Sequence, residues 1–506
     1  MEPQPELPCQ PARKRGPVSC TLAGGGRWLL PLLVLLGLLA SGCARLPRPV
    51  PQTRPLQLDR LDLGPSVHAS PASILPDARW WSGFADPQLR RIVAFSLRHS
   101  PTLALAWART QEAQGVARMQ GASLQPQLSV SGQAGFARWS ENQFYPPPYG
   151  GATTWNNAVN LDLSYTLDIW GGRRAGVQAK LDLLGARRAG QAAAILLLEN
   201  SLVRDYIDYV LVRDLQENTG KRQSVLARML QIIRERRAIG LASSVALYRL
   251  REKMQQTREQ QSLLQGQAST IAESIAVLAG SGVALPQGLH RPLLHLDCQW
   301  QPPRQVPADL LGRRPDIEAG REKMEAAAEM VHVARDAFYP DINLVAFAGG
   351  VAAAGSFLEF LHPGSALYGM GPAISLPVFT GGRLRGQMVE REAQYDAAVD
   401  GYNRTLLRAL KEVAGSITSL EADAGRRRSL DAQAASVLRT RSLFRQRFHA
   451  GLVNRLPLLQ TDLSLLGIRD RQIRLDAAAM KSLATLEAAL GGTRIPGTLP
   501  AGCRPH

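Results

Sequence analysis

The stretch AVNLDLSYTLDIWGGR, residues 158–173, decides the fold because its period changes in the middle. Up to Asp168, apolar and polar residues alternate, as in a strand with one apolar and one polar face. After the two glycines come good helix formers, and no proline appears between Pro148 and Pro286. A helix over 173–239 would have about 65 residues and be about 100 Å long. No compact core is that wide, so the stretch predicts a barrel continued by a helical tube.

A second strand precedes this one. Residues 127–138 again alternate, with Leu128 and Val130 on one face and Ser129 and Ser131 on the other. Together with a strand over about 155–168 they predict a hairpin whose arms have the length of membrane-spanning strands.

The predicted long helix carries an apolar stripe spaced three and four residues apart, which is typical of a coiled-coil seam. The stripe consists of Ile195, Leu198, Leu202, Tyr206 and Tyr209. It ends where Gly240 can adopt the left-handed conformation and Ser243 or Ser244 can cap a return helix. We place that return helix over 244–279.

The pattern then recurs. Residues 101–126 align with 315–340 without a gap, and Gly171-Gly172-Arg173 recurs as Gly381-Gly382-Arg383. The chain therefore contains two copies of one unit. We assign the first repeat to 79–306 and the second to 307–495, with a tail over 496–506. The second repeat is predicted to contain strands over about 341–351 and 367–379, a long helix over 383–448 and a return helix over 456–490. A phase shift near Ile374 predicts a bulge in its last strand.

Two hairpins supply four strands, and four strands cannot enclose a membrane pore, because open edges in lipid would leave backbone groups unpaired. Several chains must then share one barrel. We expect an α+β protein that forms a trimer with a 12-stranded barrel and a tunnel of periplasmic coiled-coil helices.

The amino terminus indicates export from the cytoplasm. Basic residues precede an apolar run over 28–40, so residues 1–42 read as a signal peptide. The sequence before Cys43 resembles a bacterial lipobox, with Ala40 in place of the usual leucine. Lipidation of Cys43 and a tether over 43–78 would anchor the chain, and Ala44 matches the pattern of outer membrane lipoproteins. The alternative is an ordinary secreted protein cleaved nearby.

The formal net charge of +17 is compatible with nucleic acid, an anionic membrane surface or an acidic solute as partner, or with a solvated basic surface. Two cysteines, Cys298 and Cys503, remain after the signal and Cys43 are set aside, and spacing alone does not decide whether they pair.

Four motifs occur in the order found in the lipoprotein outer membrane efflux proteins of the TolC type, and the chain resembles that family over nearly its whole mature length. They are Trp80-Trp81-x-x-Phe84-x-Asp86-Pro87-x-Leu89, Leu311-Gly312-Arg313-Arg314-Pro315-Asp316-Ile317, Leu376-Pro377-Val378-Phe379-x-Gly381-Gly382-Arg383 and Leu490-Gly491-Gly492.

The resemblance implies a homotrimeric exit duct in the cell outer membrane, extending into the periplasm. Its partners would be a periplasmic adaptor and an inner-membrane transporter of the RND type. The adaptor-docking and gate-forming end would lie at two tip turns, which comprise Arg236, Gly240, Leu241 and Ser243 in the first and Arg447, Gly451, Leu452 and Asn454 in the second. The position where family members often have an aspartate is Gln460, with Asp462 two residues on.

No catalytic set, cofactor or metal site is expected. His290, His295 and Cys298 share one loop with spacings that could bind a metal, but we interpret the loop as a polar linker. Asp162 and Asp168, on the polar face of the strand, are candidates for lumen-lining carboxylates.

We therefore predict a passive exit duct, with no catalysis, for small toxic solutes or drugs in a tripartite efflux pump. Three rivals stay open: a duct for type I protein or peptide secretion, a lipid-anchored periplasmic scaffold without a pore, and a nucleic-acid-binding protein, although we expect no nucleic-acid partner.

Overall fold

The computed structural model describes residues 52–57, 67–68, 79–142, 148–294, 306–307, 312–352 and 354–493. The expected signal peptide, Cys43, most of the tether and the carboxyl tail lie outside these ranges. So do His295, Cys298 and Cys503.

Four strands form one antiparallel sheet in the order β2-β3-β5-β6, and they are β2 (Gln127–Arg138), β3 (Thr153–Leu167), β5 (Asp341–Ala352) and β6 (Ala366–Ser375). Each hairpin pairs within itself, and β3 pairs with β5 across the two repeats. β2 and β6 remain the two edges. Two shorter strands, β1 (Val67–His68) and β4 (Val306–Pro307), pair in parallel.

The last strand differs from its expected form in two ways. It ends at Ser375 instead of reaching residue 379, because Ser375 pairs with Asp341, the first residue of β5, and no partner strand continues beyond that point. Pro377, which has no backbone N–H, follows closely. The register of β5 with β6 is also unbroken from Asp341 to Gly350, so the expected bulge near Ile374 was wrong.

Long helices follow each hairpin. In chain order the helices are α1 (Pro87–His99), α2 (Pro101–Ala122), α3 (Gly172–Ala238), α4 (Ser244–Leu278), α5 (Pro315–Asp336), α6 (Arg383–His449) and α7 (Leu456–Ala489). Both α3 and α6 contain 67 residues, which corresponds to about 100 Å each. The return helices α4 and α7 contain 35 and 34 residues. Among the described residues, none of the helices combines the length and hydropathy needed to cross a bilayer.

In each repeat the return helix ends against the start of the helix that leads to the sheet. Gly280, just after α4, lies beside the His99 carbonyl, and Gly491, just after α7, lies beside the Arg313 carbonyl. Both glycines have a left-handed backbone, with φ of +77° and +76°. The short helices α4 and α2, and likewise α7 and α5, therefore meet end to end beside a long helix.

The largest core surrounds the middle of α3. The predicted stripe residues Leu198, Leu202, Tyr206 and Tyr209 are buried there. A 3-10 helix at Trp80–Phe84 packs against them, and its Trp80 and Trp81 indoles donate to the two oxygens of Glu199 over 3.0 and 3.1 Å. Burial raises the pKa of Glu199, an effect that the two indole hydrogen bonds only partly oppose.

Asp86 fixes the next part of this junction. One oxygen accepts from the Gln88 backbone N–H at 2.7 Å and caps α1, while the other accepts from the backbone N–H groups of Leu293 and Leu294. The loop before β4 is thereby attached to the start of α1.

Candidate functional site

The sheet has one face that is apolar on all four strands. One row across it consists of Leu128, Leu163, Ala346 and Met370. The end members of this row are strongly exposed, Leu128 at 65% and Met370 at 89%. Exposed apolar side chains on a strand of membrane-spanning length are typical of a lipid-facing surface.

The opposite face is polar on the first hairpin and mixed on the second, where Asn343 accepts from Ser164 and Thr166. The neighbouring row there contains Ser129, Asp162, Phe347 and Gly369. Asp162 is exposed on this face, as expected for a lumen-lining candidate. Phe347 beside it is 41% exposed, so the second hairpin presents apolar side chains to both sides.

Asp168 has a different role from the expected one. Its two oxygens accept from the backbone N–H groups of Arg173 and Arg174, each at 3.0 Å, and the Arg174 side chain adds a third bond at 2.9 Å. Partial burial acts to raise the pKa of Asp168, but these hydrogen bonds outweigh it and lower the pKa. Asp168 caps the start of α3 and is not a free lumen carboxylate.

The first tip, which we define as residues 234–253, contains the turn between α3 and α4. The Leu241 N–H donates to the Arg236 carbonyl at 2.7 Å, and Gly240 has φ of +75°. This is the glycine-based ending that closes a helix by bonding its last carbonyls. The Ser243 side chain then accepts from the Ala246 N–H and caps α4, as predicted.

The second tip, residues 439–460, repeats this geometry between α6 and α7. The Leu452 N–H donates to the Arg447 carbonyl at 2.9 Å, and Gly451 has φ of +70°. The Asn454 side chain accepts from the Leu456 N–H at 2.9 Å. The structure therefore places the predicted residues of each tip turn together, at the far end of its long helix from the sheet.

The two positions considered for a gate carboxylate differ in environment. Gln460 is exposed and neutral. Asp462 is bound to the Arg441 side chain, with the Nε–Oδ1 pair at 2.5 Å. Asp462, the carboxylate nearest to the second tip in the sequence, is thus already paired with a cation of the same tip.

Polar pairs between helices were not found by reasoning from the sequence. Between α6 and α7, Arg441 bonds Asp462, Gln472 bonds Asp431, and Arg427 bonds the fully buried Asp476. In each pair the two residues are equally far along the sequence from the Gly451–Leu452 bond. Polar residues at equal distances on either side of the predicted turn were therefore the signal that could have indicated these pairs.

A second set of contacts joins the two repeats. Arg222 and Asn218 on α3 both bond Asp470 on α7, and Lys481 on α7 bonds Asp208 on α3 at 2.7 Å. Helix α7 therefore packs between α3 and α6. Because partners more than 240 residues apart form these bonds, no local pattern indicates them.

Within the described ranges, three potential metal ligands meet at one place. Carboxylate oxygens of Asp182, Glu322 and Glu325 lie within 4.8 Å of one another. Burial and the charges of these neighbours raise the pKa of Glu322, and Gln178 donates to Asp182 at 2.6 Å. Acidic clusters of this kind are common without an ion, and we assign no ligand to it. His290 of the rejected metal loop bonds through its backbone to Gln88.

The amino-terminal segment 52–57 lies along α6. The Thr53 hydroxyl donates to Asp396 at 3.0 Å, the Leu56 N–H donates to Asn403 at 2.8 Å, and Leu56 packs on the second core. Segment 52–57 therefore runs parallel to α6, in the direction from the sheet toward the tips.

Comparison with known proteins agrees with this architecture. The outer membrane efflux protein family matches residues 95–281 and 306–492, one match for each repeat. The chain is 34% identical to the fusaric acid resistance protein FusA of Burkholderia cepacia over 71% of this chain and 68% of that protein. It is 28% identical to the multidrug resistance outer membrane protein MdtP of Escherichia coli strain K12, over 88% and 93% of the two chains.

A solved structure shows the same fold. The outer membrane protein VceC of Vibrio cholerae superposes with a TM-score of 0.75 at 30% identity, covering 83% of this chain and 99% of that one. The two matched segments, the four-stranded sheet and the paired long helices therefore have a single explanation: this chain belongs to the outer membrane efflux protein family.

Proposed function

We propose that the chain is the outer membrane exit duct of a tripartite efflux pump, which passes small toxic solutes or drugs without catalysing a reaction. The observation that carries the proposal is the sheet itself. Its apolar face suits lipid, its two edges have no partner strand among the described residues, and each of its hairpins leads directly into a 67-residue helix. A membrane ribbon continued by helices of about 100 Å suits a duct that crosses the periplasm.

The two open edges support a homotrimer. In lipid, the backbone groups of β2 and β6 need partners, and another copy of the same sheet supplies them. Three copies give a closed barrel of twelve strands, within the size range of outer membrane barrels. Asp162 would then recur around the barrel lumen.

The partners follow from the names of the relatives and from the tips. FusA and MdtP are named for resistance, which supports toxic small molecules as cargo. A duct has no energy source of its own, so an inner-membrane transporter of the RND type and a periplasmic adaptor would supply it. The first and second tips lie farthest from the sheet and would dock the adaptor.

The segment 52–57 supports a lipid anchor at Cys43. Thr53 contacts Asp396, which is 13 residues from the start of α6 at Arg383, or about 20 Å along the helix. Ten residues separate Cys43 from Thr53, and an extended chain of that length spans about 33 Å. An acylated Cys43 can therefore reach the membrane level of the sheet. We expect Cys43→Ala to abolish lipid labelling.

Planar bilayer recording tests the channel. Purified trimers should show single-channel conductance, whereas a periplasmic scaffold would remain silent. Deletion of the gene should increase susceptibility to toxic compounds if the duct serves efflux. A loss of protein secretion with unchanged susceptibility would instead indicate a secretion duct.

A further inference from the structure

We propose that the two tips form a cationic mouth that favours anionic solutes over cationic ones. This inference rests on the proposed channel function and specifies its cargo. It comes from the distribution of charge along the chain.

The excess positive charge is concentrated at the tips. The first tip has six basic side chains against the carboxylates Glu235 and Glu252, and the second has five arginines and no carboxylate. These are Arg234, Arg236, Arg237, Arg249, Arg251, Lys253, Arg439, Arg441, Arg445, Arg447 and Arg455. The two tips hold 42 residues, yet they carry a net +9 of the chain's +17.

These charges are accessible. Nine of the eleven basic side chains are exposed, and Arg441 is partly covered because it bonds Asp462. That bond neutralises the carboxylate nearest to the second tip. Gln460, the other candidate position, adds no charge. The second tip therefore keeps four arginines besides the paired Arg441, namely Arg439, Arg445, Arg447 and Arg455.

The helical packing brings both tips to one end. Helices α3 and α6 both begin at the sheet, have the same length and are bridged by α7. In a trimer the six tips would surround the tunnel entrance with a net charge of about +24 once Asp462, the partner of Arg441, is counted, and like charges around an opening focus the local field. Arginine stays protonated throughout the physiological range, so the arginine charges of the tips should not depend on pH.

Asp162 places negative charge on the sheet, at the opposite end of the long helices from the tips. In a trimer, three copies of this carboxylate would contribute −3, against about +24 at the tips, and should therefore have the smaller effect. Selectivity is therefore expected to follow the tips.

The test is the reversal potential of purified trimers in a planar bilayer across a potassium chloride gradient. The wild-type channel should prefer chloride. Arg445→Gln combined with Arg447→Gln should reduce the chloride-to-potassium permeability ratio about two- to fivefold, and the corresponding glutamate substitutions should favour potassium. Arg90→Gln with Arg98→Gln, on the exposed side of α1, removes the same charge elsewhere and should leave the ratio unchanged.

Three results would contradict the proposal. A conducting wild-type trimer that prefers potassium would overturn the cationic mouth alone. If the glutamine variant keeps its permeability ratio but loses efflux in cells, the arginines serve to dock an acidic adaptor, and the selectivity proposal is wrong. A correctly assembled wild-type trimer without any conductance would overturn the channel function, and the cationic mouth with it.

Discussion

The two repeats join their helices at the same place with different chemistry. A Cβ on Gly280 would lie 2.4 Å from the His99 carbonyl oxygen, whereas one on Gly491 would lie 3.4 Å from that of Arg313. The junction at Gly491 has more space, and Arg314 bridges it. The Arg314 guanidinium donates to the Ala489 carbonyl and to Glu412, both at 3.0 Å.

The buried charged side chains of the two repeats also have different kinds of partner. In the first repeat, neutral indoles hold the carboxylate of Glu199. In the second, Arg314 is only 9% exposed and lies between Asp316 and Glu412. A duplicated backbone can therefore keep its path and its helix lengths while close packing at one junction is replaced by ion pairing at the other.

The tight first junction should be the more sensitive to added volume. We expect Gly280→Ala to destabilise the protein by about 3 kcal/mol, because it combines left-handed strain with a backbone clash. Gly491→Ala has similar strain without the clash and should cost about 1 kcal/mol. Thermal unfolding of the detergent-solubilised protein, followed by circular dichroism, measures both. Equal losses would show that the junctions are equally tight.

The ionic second junction should depend on its buried cation. Arg314→Met would remove the donor to the Ala489 carbonyl and the buried cation beside two carboxylates, and we expect a loss of about 2 kcal/mol. Arg408→Met is the matched control, because Arg408 also approaches Asp316, at 3.6 Å, but is 61% exposed. It should cost less than about 0.5 kcal/mol. Similar melting temperatures for the two variants would contradict a special role for Arg314.

The starts of the long helices also differ. Asp168 caps α3 through its side chain, whereas among the described residues the start of α6 has no side-chain cap and the Arg383 N–H donates to the Thr380 carbonyl. Asp168→Ala should therefore destabilise the protein by about 1 kcal/mol, and Thr380→Ala should have little effect. The same melting assay applies, and an unchanged Asp168→Ala protein would show that the cap adds no stability.

The smallest expected difference is one of pH dependence. Burial raises the pKa of Glu199, so its stabilising contribution is present below its ordinary value of 4.5 and is lost as pH rises through the raised value. Burial acts to raise the pKa of Asp316, but the bonds from Arg314 lower it overall. Its contribution is therefore present above the ordinary value of 3.8 and is lost as pH falls through the lowered one.

Two variants separate these effects. As pH rises from about 4 to 7, the wild type should lose about 2 °C of melting temperature relative to Glu199→Gln. As pH falls from about 5 to 3, it should lose a similar amount relative to Asp316→Asn. Parallel profiles for both variants and the wild type would contradict the opposite pKa shifts.

Local signals predicted much of the fold. The alternation in β3, the helix formers after Gly172 and the glycine at each tip are all read within a few residues, and the structure has each of them in place. The expectations that were wrong concern residues whose partners are distant in the sequence. β6 ends at Ser375 because β5 begins at Asp341, and that constraint cannot be read from residues 366–379 alone.

The site residues likewise divide into those that a local pattern predicts and those that depend on a partner elsewhere in the chain. The turn residues Gly240 and Gly451 were predictable because a left-handed glycine ends a helix on its own. Asp168 was misassigned because alternation along a strand gives its face but not the helix end beside it. The Arg441–Asp462 pair needed the hairpin register, which places residues equally distant from the turn opposite each other.

The unequal edges β2 and β6 have a genetic consequence. In the proposed homotrimer one subunit's β6 would meet the next one's β2, so each subunit would contribute to two seams of the ring. A copy with a damaged β6 but an intact β2 would still enter the assembly and block its closure. At equal expression only about one ring in eight would contain no damaged copy, so such alleles should act dominantly over the normal gene.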